Sequence, residues 1–126
     1  MPSTVQPILV TRDLERLSTF YRSLFDAVET ERVPADGPTF YVGLRIGECD
    51  LGLVNDGEAP DGPQRMLLSV EVPDVDGLLP RVAALGGVVP GPSNDMPWGQ
   101  RVAHVRDPDG NNVNLTQQLS PPSGGR

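Results

Sequence analysis

The chain repeats itself. VQPILVT followed by RDLERLSTFYRSLF has a counterpart in RMLLSVEV followed by PDVDGLLPRVAALGG. Moving the first half forward by 61 positions (74 − 13) lays Asp13–Leu14 on Asp74–Val75, Leu17 on Leu78, Tyr21 on Val82 and Leu24 on Leu85. Each copy runs from an apolar, β-branched segment into an amphipathic stretch and then into further strand-like runs. A repeat of this length is one supersecondary unit, with an apolar face that needs cover. The expectation is an α+β chain of two similar modules, at about residues 5–55 and 65–118, each a mixed sheet with a helix on one face.

Local patterns fill in each module. Leu14, Leu17, Tyr21, Leu24 and Phe25 fall at helical spacing, and Asp13 is a suitable N-cap. TFYVGLRIG and CDLGLVND read as strands with Gly47 at the turn between them, and NDGEAPDGPQ reads as a loop. In the second half Met66, Leu68, Val70 and Val72 alternate with Leu67, Ser69 and Glu71, so a strand is expected from Arg65 with the first set in the core. The helix that follows should stop at Gly86–Gly87. Pro80 removes a backbone donor within it, so the proline sits in the first turn or shortens the helix. VVPGPSNDMPWG reads as a short strand and a loop, and QRVAHVR and NNVNLTQQ as two strands joined by the turn DPDG. LSPPSGGR reads as a disordered tail over 119–126.

Composition narrows the function. A chain of 126 residues suits one domain, and 14 Gly with 14 Pro favour turns and strands over long helices. The formal net charge is −7, all ten basic residues are Arg, and no run of them supplies the basic face a nucleic-acid binder needs. No apolar stretch approaches the roughly 20 residues of a membrane span. The N-terminal MPSTVQPILVTRDLERL lacks the basic and apolar regions of a signal peptide. The single cysteine, Cys49, excludes an intramolecular disulfide, so a cytoplasmic location is expected.

VTRDLERLSTFYRSLF, LLSVEVPDVDGLLPRVAALGG and WGQRVAHVRDPDGNNVNL together resemble the vicinal oxygen chelate superfamily, over roughly residues 5 to 118. That group includes glyoxalase I, extradiol dioxygenases, fosfomycin-resistance enzymes and the bleomycin- and mitomycin-binding proteins. The resemblance implies one domain over 1–118, made of two βαβββ modules whose cup-shaped sheets carry helices on the convex face. It also implies a homodimer in which the cups enclose a site. Chemistry in the superfamily runs through a divalent metal held at four positions, which fall here on Gln6, at or near Gly52, on Leu67 and on Asn114. Gly and Leu have no side-chain donor, and neutral amides are weak ligands for a divalent cation. The expectation is that the metal centre, and any other cofactor, is absent.

Strand parity nominates the residues that face the site. Gln6, Arg65, Leu67 and Asn114 fall on the open side, as does one of the adjacent pair Phe40 and Tyr41, while the resemblance to fosfomycin-resistance enzymes implies that side for His104, whose parity Val102 shares. His104 could act as a base, or simply contact a ligand. WGQR…DPDGN resembles the mitomycin-binding proteins, in which the Trp stacks on a planar drug, so Trp98 is placed at the rim. An indole offers a broad apolar face with a polar tip, suited to planar or cationic ligands. Asp107 and Asp109 have a sufficient reason in the turn, and Cys49 has no activating neighbour in sequence. The expected function is metal-independent binding of a small molecule, sequestering an aromatic or cationic antibiotic-like compound. The alternative is a metal-dependent or His104-assisted lyase, isomerase or dioxygenase of the glyoxalase type.

Overall fold

The computed structural model of the protein describes residues 5–119, so the 119–126 tail lies, but for Leu119, outside the described residues. The chain divides into two compact units with the boundary between Gln64 and Arg65. Each is a four-stranded mixed sheet with one helix, and the α+β repeat is present.

The first unit holds β1 (Ile8–Thr11), α1 (Leu14–Phe25), β2 (Val28–Val33), β3 (Tyr41–Ile46) and β4 (Cys49–Asn55), in sheet order β1-β4-β3-β2. β1 runs parallel to β4 and the other pairs are antiparallel. Asp13 caps α1 by accepting from the Arg16 backbone N–H at 3.1 Å, which satisfies one orphan donor of the first turn. Leu14, Leu17, Phe20, Tyr21 and Leu24 bury one side of the helix against β3 and β4. Leu9, Val42, Leu44, Leu51 and Leu53 form the sheet side of this core. By alternation Ile8, Val10, Tyr41, Gly43, Gly52 and Val54 then fall on the face that the helix leaves open. The exposed edge of β1 is met by a side chain: the Gln64 amide accepts from Val10 N–H at 3.2 Å and donates to Val10 C=O at 3.1 Å. It replaces one peptide of a missing neighbour strand.

The second unit holds β5 (Leu68–Glu71), α2 (Val75–Ala84), β6 (Asn94–Asp95), β7 (Gln100–Arg106) and β8 (Asn112–Gln118), in order β5-β8-β7-β6. Asp74 caps α2 through the Gly77 N–H at 3.2 Å. A Cβ on residue 77 would come 2.5 Å from Asp74 Oδ2, so a larger residue there would have to shift the capping carboxylate. The helix ends at Gly86 (φ +91°) with Gly86 N–H to Ala83 C=O and Gly87 N–H to Val82 C=O, a Schellman pair that left-handed glycine makes accessible. Pro80 lies inside α2, beyond its first turn, and the helix continues past it to Ala84. Val75 and Val82 cover Ala103, Val105, Val113 and Leu115, all essentially inaccessible.

Three expectations need correction. The strand expected from Arg65 begins only at Leu68, and Met66, expected in the core, is 36% exposed ahead of it. The expected strand after α2 is reduced to an isolated bridge at Val88 and the two residues of β6, as prolines at 90, 92 and 97 interrupt pairing. A further strand, β2, is absent from the local-pattern reading, although the βαβββ module that the resemblance implies includes it. Its sequence VETERV carries three charges and a bulge between Glu29 and Glu31, both devices of an edge strand.

Candidate functional site

The second unit's open face is built by β7 and β8. Antiparallel register places Val102 opposite Thr116, His104 opposite Asn114 and Arg106 opposite Asn112. The intervening residues point to α2, so these six share the uncovered face. Ser69 joins them through its parallel register with Asn114. His104 Nδ1 lies 2.6 Å from Asn114 Oδ1, linking two of the expected site residues directly. Val102 shares the face but is only 7% exposed, so it forms floor.

The turn between the two strands fixes this register. Asp107 is buried, and its Oδ1 accepts from the backbone N–H groups of Asp109 and Asn111, each at 2.9 Å. Its Oδ2 accepts from Asn111 Nδ2 at 2.9 Å. Gly110 (φ +87°) closes the turn with its N–H on Asp107 C=O at 2.9 Å. The Asp107 carboxylate of DPDG therefore serves the turn, as expected.

At the far end of β7, Pro97-Trp98-Gly99 forms a hairpin loop, with Met96 N–H donating to Gln100 C=O at 2.7 Å and Gly99 at φ +90°. Trp98 is 66% exposed at its tip, and its Nε1 donates to Gln100 Oε1 at 2.9 Å. Gln100 has the parity of His104, so this bond turns the indole towards the open face. His104 lies four positions along from Gln100, which is roughly 13 Å on a strand.

The first unit's open face is different in character. Tyr41 lies across two cross-strand glycines: a Cβ on Gly52 would come 3.0 Å from Tyr41 Cε1, and one on Gly43 would come 3.4 Å from the Tyr41 hydroxyl. Both glycines are buried although no helix covers them. The phenol oxygen accepts from Gln6 Nε2 at 3.0 Å, so these two expected site residues also meet. Of the pair left open by alternation, Tyr41 takes the open face. Phe40 precedes β3 and is 54% exposed, so it does not enter the core. Ile8 and Val10 flank the ring as exposed apolar side chains, and an Arg45–Asp50 ion pair at 3.1 Å closes one end of the face. Arg65 and Leu67 lie in the segment ahead of β5, both exposed, and are not carried on the sheet.

A sequence model described as the Glyoxalase/Bleomycin resistance protein/Dioxygenase superfamily matches residues 4–115. The chain belongs to that superfamily. An uncharacterized protein of Mycobacterium bovis is 32% identical over 126 residues, covering 91% of this chain and 83% of that one. An uncharacterized protein of Mycobacterium tuberculosis matches at the same identity and covers 91% of this chain and 74% of its own length. Among solved structures, TioX from a Micromonospora species superposes with a TM-score of 0.75 at 28% identity, over 94% of this chain and 100% of that one. The fosfomycin resistance protein FosX of Listeria monocytogenes superposes with a TM-score of 0.72 over 93% of each chain, and its 17% identity makes that a likeness of fold.

The four positions implied for a superfamily metal do not fit a divalent cation. Gln6 offers a neutral amide engaged by Tyr41, and Gly52 has no donor and sits tight against the Tyr41 ring. Leu67 is apolar, and the Asn114 carbonyl oxygen is taken by His104. Among the described residues no group of three or more His, Cys, Asp and Glu converges as a metal site would require.

Proposed function

We propose that this protein binds a small planar or cationic organic molecule without a metal, as a sequestering protein of the resistance type. The observation that carries the reading is Tyr41 against Gly52: residue 52 has no ligating side chain, and one placed there would have to push the ring aside. Metal-independent binding requires only an apolar surface, stacking and a few fixed polar groups. Trp98 at the hairpin tip supplies the stacking surface, and the His104–Asn114 pair supplies fixed polar atoms. Exposed Leu67 and Arg65 are further ligand contacts of the second unit in this reading, and Tyr41 with Gln6 form a contact surface of the first unit taken by itself. Superfamily membership supports it, since the family's description includes bleomycin resistance. The active form in this reading is a cytoplasmic homodimer. The described residues include no helix long and apolar enough to cross a membrane.

Two measurements test it. Protein purified without chelator is analysed for metals, and Trp98 fluorescence is titrated with bleomycin and mitomycin C. The reading expects no stoichiometric divalent metal and saturable quenching by at least one of the two, abolished as a signal in Trp98→Ala. A stoichiometric metal, or no quenching by either compound, contradicts it.

A further inference from the structure

The polar contact on the second unit's open face also specifies a direction of hydrogen bonding. His104 and Asn114 are directly opposed on adjacent antiparallel strands, so their side chains meet without spanning any other residue. Nδ1 faces the amide oxygen at 2.6 Å. A carbonyl oxygen only accepts, so Nδ1 must carry the hydrogen. The reverse arrangement, with the amide rotated and its NH2 donating to Nδ1, would oppose two nitrogens. A separation of 2.6 Å is already short for N–H···O, whose common value is about 2.9 Å. A neutral imidazole has one proton, and with that proton on Nδ1 the other nitrogen is a bare acceptor. His104 is exposed and makes no further hydrogen bond among the described residues.

We propose that Asn114 holds His104 as its Nδ1–H tautomer, and that Nε2 selects ligands bearing an O–H or N–H donor. This rests on the small-molecule-binding reading above and narrows it. A planar ligand with a phenol, amide N–H or protonated amine is favoured over its fully methylated counterpart. A quaternary cation, which has charge but no hydrogen to give, gains nothing from Nε2. The neighbouring Asn112 and Thr116 can donate or accept, and Arg106 only donates, so Nε2 is the position on this face that demands a donor.

His104 is the only histidine, so its ring nitrogens are read without ambiguity by long-range 15N–1H correlation in labelled protein. At alkaline pH, where imidazole is neutral, the expected pattern is a protonated Nδ1 and a pyridine-like Nε2. In Asn114→Leu the expected pattern moves towards protonated Nε2. A protonated Nε2 in the parent protein, or an unchanged ring in Asn114→Leu, overturns the proposal. The ligand arm compares 2-naphthol with 2-methoxynaphthalene, followed by calorimetry and by the single Trp98 indole N–H resonance. Covering the Nε2 acceptor with a ligand that cannot pair with it costs enough to expect about tenfold weaker binding of the ether. The preference is expected to disappear in His104→Phe. If both probes shift Trp98 with equal affinity, the donor selection fails while the binding reading stands. If neither shifts Trp98, both fail.

Discussion

The ring of Tyr41 packs tightly against Gly52, with Cε1 3.0 Å from the position a Cβ would take there. Ile8 Cγ1 closes the other side at 3.1 Å. Gly52→Glu is therefore expected to displace Tyr41 and cost about 1–3 kcal/mol in denaturant unfolding, the range for forcing extra atoms into a packed site. Because the carboxylate would replace a ring and find no partner ligands, calorimetry with Mn2+ is expected to detect no binding to the variant. Tight Mn2+ binding by Gly52→Glu contradicts the fit argument.

Asp107 stabilises the β7–β8 turn while itself buried. Its carboxylate takes three N–H donors, and removing it strands two backbone N–H groups and the Asn111 amide. Asp107→Ala is expected to lower stability by about 2–4 kcal/mol, since each unsatisfied buried donor is costly. The urea midpoint is the readout, with Asp107→Asn recovering part of the loss. A change below about 0.5 kcal/mol contradicts the described network.

Two surface carboxylates give an acid dependence. A hydrogen bond from Arg32 is the main cause that holds Glu29 below its ordinary carboxylate value, against an opposing desolvation effect. Arg101 holds Asp95 down in the same way. A carboxylate whose folded value is depressed contributes stability above its unfolded value, and loses it as pH falls through the folded one. Stability is expected to decline as pH drops below the ordinary carboxylate range. The double variant Glu29→Gln, Asp95→Asn should show a shallower decline. Identical slopes for parent and variant contradict this.

Pro80 interrupts the hydrogen-bond ladder of α2 beyond the first turn. Replacing it restores a donor and removes a ring from the path of a preceding carbonyl. Pro80→Ala is expected to raise the thermal midpoint, with a gain of about 1 kcal/mol after the offsetting loss of chain stiffness in the unfolded state. A lower midpoint contradicts that reading of the helix.

Much of the fold was legible because its signals are local. The Asp13 and Asp74 caps, the Gly86–Gly87 stop and the DPDG turn each depend on residues within a few positions of one another. Strand parity likewise put Asn114 on the open face and Val113 and Leu115 beneath the helix, while the side taken by His104 needed the family resemblance. The misses have physical causes too. β2 is an edge strand whose charges hide its period, and Met66 continues an alternating pattern past the point where pairing with β8 begins. Phe40 and Tyr41 could not be separated by alternation, because Phe40 leaves the strand. The Tyr41–Gln6 bond joins residues 35 apart, and the glycine floor beneath the ring is visible only once β3 and β4 are in register.

The central claim is that binding occurs without a metal, at a surface that includes Trp98. The most direct measurement titrates Trp98 fluorescence with mitomycin C and bleomycin, each in the presence and absence of EDTA. Trp98 is the only tryptophan, so the signal has one source. The account predicts saturable quenching by at least one compound with the same midpoint under both conditions. No saturable quenching, or quenching that appears only when divalent metal is supplied, contradicts it.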